Sequence, residues 1–199
     1  SKIVQEGVFI ELSGFGNQGM KVVPLIIAAS IVDYFFIAEL KIALLYSSVI
    51  YLILQSITIV FTPTFSRSNS LSELFGHIRE IQRILFLPVI IIGGILFALS
   101  SVILNFLYAS DYNTNLQTIT NILLIFSILD VLLGPINQAL ILFRRAILVS
   151  VTSIIIFTIT MVLFSLCLMS GWNTFSVIII GVAPIIIKTA LYIITKGDL

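Results

Sequence analysis

Apolar residues fill the chain in long runs, and the polar positions collect in short breaks at Asp33, Thr64 to Arg83, Ala109 to Asn115, Arg144-Arg145 and Ser170 to Asn173. A helix needs roughly 20 apolar residues to cross hydrocarbon, so the runs predict six membrane spans, at about 7–32, 34–63, 84–107, 116–143, 146–169 and 174–195. The expected fold class is an all-α integral membrane protein: residues 1–199 as a single transmembrane domain, a six-transmembrane-helix bundle.

Six crossings put both termini on one side of the bilayer. Lys2, Arg67, Arg79, Arg83, Arg144, Arg145 and Lys196 all fall on that side, and the opposite breaks carry neither Lys nor Arg. By the positive-inside rule that side is the cytoplasm. The longest break has its own pattern. Ser70-Leu-Ser-Glu73 has capping-box spacing, and Leu71, Leu74, Phe75, Ile78 and Ile81 follow at helical intervals. It predicts an interfacial amphipathic helix over about 70–83, whose apolar side sits among headgroups while Arg79 and Arg83 meet anionic lipid. The alternative is a plain extension of the third span.

Composition sharpens the class. The chain is 59% hydrophobic and 10% charged, against roughly 25% charged residues in a soluble domain. Net charge is +1, and no basic run interleaves with aromatics, which argues against a nucleic-acid partner. Membrane lipids are the expected surroundings. Cys167, the single cysteine, lies in an apolar run and reads as core packing. The first apolar segment is broken by Glu11, Asn17, Gln18 and Lys21 and lacks a small-residue cleavage site, so no cleavable signal peptide is expected. Ser1 fits either a trimmed initiator methionine or a piece of a longer chain.

Polar residues inside the spans are the candidate chemistry. Gly14-Phe-Gly16-Asn-Gln-Gly19 matches a dinucleotide pattern, but the βαβ context and the acidic residue about 20 positions on are missing. With Pro24 these glycines instead interrupt the first span, as in a bent helix beside a transport pathway. Glu11, Gly14, Gln18 and Lys21 fall within an arc of about 80° on the helical wheel, with Asn17 just outside it. Lys21 lies near mid-span, where a charge costs about 2.5–3.5 kcal/mol. It either lines a cavity and meets an anionic substrate or pairs with a carboxylate such as Asp130 to hold helices together. Asp130 shares a face of the fourth span with Ser127, Gly134 and Asn137, beside Pro135. It can bind a proton or cation, neutralise Lys21, or stay protonated and bond to a neighbouring helix. Gly181, Pro184 and Lys188 share a face of the last span, and Lys188 can snorkel or line the cavity. Glu39 and Lys41 project to nearly opposite sides of the second span, so at most one faces a pathway, and snorkelling accounts for Lys41. The many Ser and Thr residues of the fifth span fit close helix packing. His77 reads as a solvated residue, no metal cluster or cofactor motif is present in the sequence, and no catalytic set can be assembled, so an enzyme is not expected.

The order of several segments resembles a known family: Phe36-Ile-Ala-Glu-Leu-Lys-Ile-Ala-Leu-Leu45, Thr62-Pro-Thr-Phe-Ser-Arg67, the basic segment after it, Leu107-Tyr-Ala-Ser-Asp-Tyr112, and Leu133-Gly-Pro-Ile-Asn-Gln-Ala-Leu-Ile-Leu-Phe-Arg-Arg145. Together they look like the C-terminal half of a polysaccharide flippase of the O-antigen type, in the multidrug/oligosaccharidyl-lipid/polysaccharide exporter superfamily. The resemblance covers nearly the whole chain and implies one lobe of a two-lobed exporter. It implies flipping of undecaprenyl-pyrophosphate-linked oligosaccharide, for lipopolysaccharide or other surface polysaccharide, across the bacterial inner membrane by alternating access. The implied partners are the N-terminal lobe and polysaccharide-assembly proteins. Lys21 matches the place of a cavity cation, with Lys188 in support, Gln18 and Asn17 as sugar or phosphate ligands, and Glu11, Asp130 and Asn137 as further cavity or coupling candidates. Three rivals remain: a cation-coupled drug exporter of the same superfamily with its ion site at Asp130, a self-sufficient six-helix subunit of a vitamin importer, and a membrane scaffold whose buried charges are merely paired.

Overall fold

The computed structural model describes residues 22–108 and 113–196, and every regular element among them is helical. In chain order these are α1 (Val22–Ile31), α2 (Tyr34–Arg67), α3 (Leu71–Ala98), α4 (Ser100–Leu107), α5 (Thr114–Leu132), α6 (Ile136–Leu142), α7 (Ala146–Met169) and α8 (Asn173–Lys196). Five stretches, counting α5 with α6, are long and apolar enough to cross a membrane. The protein is a multi-pass membrane bundle. Most of the first predicted span lies outside the described residues, and α1 is its described part.

Local chemistry sets the helix starts. Asp33 accepts from the Phe36 N–H at 3.1 Å and starts α2. Ser70 accepts from the Glu73 N–H at 3.2 Å, while Glu73 reaches back to the Asn69 N–H at 2.8 Å, so two N–H groups that lack helical partners are satisfied at the start of α3. Asn113 accepts from the Leu116 N–H at 2.7 Å and starts α5.

The structure differs from three of the predicted elements. The interfacial helix and the third span are one continuous helix, α3, from Leu71 to Ala98. Leu74, Phe75, Ile78 and Ile81 are buried in the protein core, and Phe75 packs edge-on against Tyr192 of α8 at 5.3 Å. That apolar stripe has a protein partner, so it is not left for headgroups. The predicted third span instead breaks near its far end, where Leu99 separates α3 from α4. The predicted fourth span breaks at Leu133-Gly134-Pro135 into α5 and α6.

The α5–α6 stretch is central and the most buried of the five, packed by α2, α3 and α8, while α7 packs on α8. Close approach of α8 to α5 depends on Gly181, where a Cβ would stand 2.5 Å from Phe126 Cδ2. Two apolar clusters stack along the bundle. One gathers Phe36, Leu40, Ile119, Leu123, Phe164 and Ile180; the other gathers Ile50, Phe65, Ile78, Leu124, Ile187 and Leu191. The polar residues collect between them.

Candidate functional site

A cavity of about 330 Å³ opens between α2, α5, α6 and α8 where the two apolar clusters meet. Its volume is at the small end of the usual range of about 300–1,000 Å³ for ligand pockets. From α2 it receives Ser47, Ser48, Tyr51, Gln55 and Thr58, which recur at helical intervals on one face. Ser127 and Asp130 enter from α5, Asn137 and Gln138 from α6, and Gly181, Pro184 and Lys188 from α8.

The centre of the site is an ion pair. Lys188 Nζ lies 2.9 Å from Asp130 Oδ1 and donates a hydrogen bond to the Asp130 carbonyl oxygen at 2.7 Å. Both residues are buried, 6% and 3% exposed, so neither charge is met by bulk water and each depends on the other. Lys188 turns inward to the carboxylate and does not snorkel. At 1.5 Å per residue the pair sits about 24 Å along the α5–α6 stretch from Thr114, well inside the hydrocarbon.

The break after α5 explains why that carbonyl is available. In a continuous helix the Gly134 N–H would bond to Asp130 O; here it bonds to Val131 O at 2.9 Å. Gly134 permits the turn because its φ is +76°, a left-handed value that side chains with a Cβ resist. Pro135 brings no N–H of its own. Of the carbonyls released by the break, two are each taken by a long side chain from a neighbouring helix. Lys188 of α8 bonds Asp130 O, and Gln82 of α3 bonds Leu133 O at 2.9 Å.

Around the pair the lining is mostly neutral. The Tyr51 hydroxyl lies beside Asp130 and Ser127. The Ser47, Ser48 and Thr58 hydroxyls donate to their own helix at Leu44 O, Leu45 O and Leu54 O, so they turn lone pairs towards the cavity. Asn137 is buried, and its Oδ1 has no hydrogen-bond partner among the described residues. Pro184, one turn before Lys188, has no N–H to give to Ile180 O, which leaves a further carbonyl in the cavity wall. Among the described residues the arrangement offers one cation, one carboxylate, and many acceptors and amides. It can bind a polar group with hydroxyls or an anionic centre.

Among the sequence candidates, the structure brings Lys188, Asp130 and Asn137 together. Asp130 takes Lys188 as its partner among the described residues, where the sequence reading offered Lys21 as one possible partner. Lys21, Gln18, Asn17 and Glu11 lie outside the described residues. Glu39 is buried away from the cavity, where it accepts from Asn113 Nδ2 at 2.7 Å and from Asn115 Nδ2, while Lys41 is exposed. His77 sits half-buried between Glu73 and Glu80, at 4.0 and 3.8 Å. Sequence reasoning missed the polar face of α2. Its signal was present: Ser47, Tyr51, Gln55, Thr58 and Thr62 step by four, four, three and four residues along one face.

No protein-family model, curated protein or solved structure matches this chain.

Proposed function

We propose that the protein takes part in moving lipid-linked oligosaccharide across the bacterial cytoplasmic membrane, as one lobe of an alternating-access flippase. The observation that carries this reading is the polar cavity inside an apolar bundle, with a buried Lys188–Asp130 pair beside a broken helix. Ionisable groups at that depth are costly and mark substrate paths, and discontinuous helices are where transporters place binding sites. The order of the flippase-like segments supplies the substrate class. In this reading an undecaprenyl-pyrophosphate headgroup is drawn by Lys188, and by Lys21, Gln18, Asn17 and Glu11 of the first span. The sugars bond to the hydroxyls and amides of α2 and α6. The basic helix ends face the cytoplasm, with both termini there, and the second lobe closes the open side of the cavity. The role is binding and movement, with no bond made or broken.

The test is complementation of surface polysaccharide in a bacterium lacking its own flippase, using the complete transporter. The wild type should restore the polysaccharide, and Lys21→Ala and Lys188→Ala, expressed at the same level, should each lower it by about tenfold or more, the loss of roughly 1.4 kcal/mol of substrate interaction. Unchanged polysaccharide in both variants would sink the proposal.

A cation-coupled exporter is the second reading, favoured by Asn137 Oδ1, which lines the same cavity as Asp130 and has no hydrogen-bond partner among the described residues. Sodium- or proton-dependent efflux of cationic dyes that is lost in Asp130→Asn would support it over the first.

A further inference from the structure

We infer that Lys188 is an anion site held shut by Asp130, and that a phosphate group binds by taking the place of the Asp130 carboxylate on the ammonium. The inference rests on the proposed function for its ligand class and adds how the site is opened. Lys188 holds Asp130 through two different atoms, the side-chain Oδ1 at 2.9 Å and the main-chain carbonyl at 2.7 Å. Only the first can leave. The carbonyl is fixed by the backbone turn at Gly134, so it keeps the ammonium in place while Oδ1 rotates away. An ammonium carries three protons, and a phosphate oxygen can take the donor that Oδ1 gives up.

The displaced carboxylate has somewhere to go. Tyr51 already hydrogen-bonds to Asp130 and Ser127, so its hydroxyl keeps hold of the carboxylate when Oδ1 leaves the ammonium. The exchange is between one anion and another, so the site's net charge in the resting state stays near zero and the cation is exposed only to a ligand that replaces its partner. A buried lysine without that carboxylate would be an uncompensated charge. The cavity volume of about 330 Å³ suits a phosphate or diphosphate head. It does not suit a whole lipid.

The chemistry is shared by a free diphosphate and by a polyprenyl diphosphate headgroup, and the probes separate them. Binding of inorganic pyrophosphate and of farnesyl pyrophosphate to the purified protein is measured for wild type, Asp130→Asn, Lys188→Gln and the double variant. Removing the competing carboxylate should tighten binding of at least one probe by about tenfold in Asp130→Asn, whereas Lys188→Gln and the double variant should bind about tenfold more weakly than wild type. Asp130→Asn keeps the carbonyl that anchors Lys188. If it nevertheless fails to fold, Tyr51→Phe is the substitute, and it should weaken binding several-fold because the released carboxylate loses its donor. Equal binding by wild type and Asp130→Asn, or by wild type and Lys188→Gln, overturns the inference, as does unchanged binding by Tyr51→Phe where that variant replaces Asp130→Asn. Preference for farnesyl pyrophosphate identifies a lipid headgroup as the source, and equal binding of the two probes identifies the free anion. Failure of polysaccharide complementation with the binding pattern intact would reject the flippase reading and leave the exchange standing.

Discussion

Lys188 and Asp130, 58 residues apart, are joined through a main-chain carbonyl as well as a carboxylate, because the Gly134 N–H has turned away to Val131 O. A backbone irregularity in one helix thus creates the seat for a charged side chain of another. The two features stand or fall together.

Removing the lysine should cost more than neutralising the carboxylate. Lys188→Met strips the ammonium from Asp130 Oδ1 and from the Asp130 carbonyl oxygen and should destabilise by about 3–5 kcal/mol, as breaking a buried pair does. Asp130→Asn retains the carbonyl bond and should cost less. Thermal unfolding in detergent checks the order, and the double variant Asp130→Asn with Lys188→Met should recover part of the Lys188→Met loss.

The turn at Gly134 should reject a side chain. Gly134→Ala places a Cβ 3.3 Å from Gln82 Cγ in a left-handed conformation, and the conformation alone costs about 1–2 kcal/mol. Arg144 is the opposite case. Its φ is +65°, and the Arg144 and Arg145 N–H groups bond to Ile141 O and Leu140 O, a helix end that favours glycine. Arg144→Gly should therefore stabilise, by up to about 1 kcal/mol. Matched melting curves should show shifts of opposite sign.

Gly181 and Gly93 both admit close packing on α5, with different tolerance. At Gly93 an added Cβ meets Ile128 Cδ1 at 2.5 Å and Cγ1 at 2.8 Å, but no atom as near the backbone as a Cβ. At Gly181 it meets three atoms of Phe126, down to the Cβ at 3.1 Å. Gly181→Ala should destabilise by about 1–3 kcal/mol, in the range of overpacked cores, and more than Gly93→Ala. Phe126→Leu should partly rescue it. An equal loss at the two glycines would contradict this account.

Glu39 fastens the start of α5 to α2. It accepts from the amides of Asn113 and Asn115, and Asn113 also caps α5 at Leu116. Glu39→Gln can turn an amide N–H₂ towards those donors and should cost about 1–3 kcal/mol, the penalty of a buried polar group left unpaired. Hydrogen exchange at the first turn of α5 should quicken in that variant, while the α7–α8 pair stays protected.

The sequence by itself determined the class, because burying this much apolar surface requires lipid and because span length follows from bilayer thickness. It also located the starts of most long helices: Asp33, Ser70 and Asn113 act within three residues of their own position, and a cap is a local bond. Tertiary structure decided the rest. The apolar stripe of residues 71–81 could face headgroups or protein with the same periodicity, and only Tyr192 and the surrounding core settled it. Glu39 read as a residue of uncertain facing until Asn113 and Asn115 were brought to it. Asp130 and Lys188 were each visible as charges in the wrong solvent, but which cation meets which carboxylate depends on how α8 lies on α5. That is set by Gly181 against Phe126 and by the broken backbone at Gly134. Pairing is a property of packing across long separations, and periodicity along one helix carries no information about it.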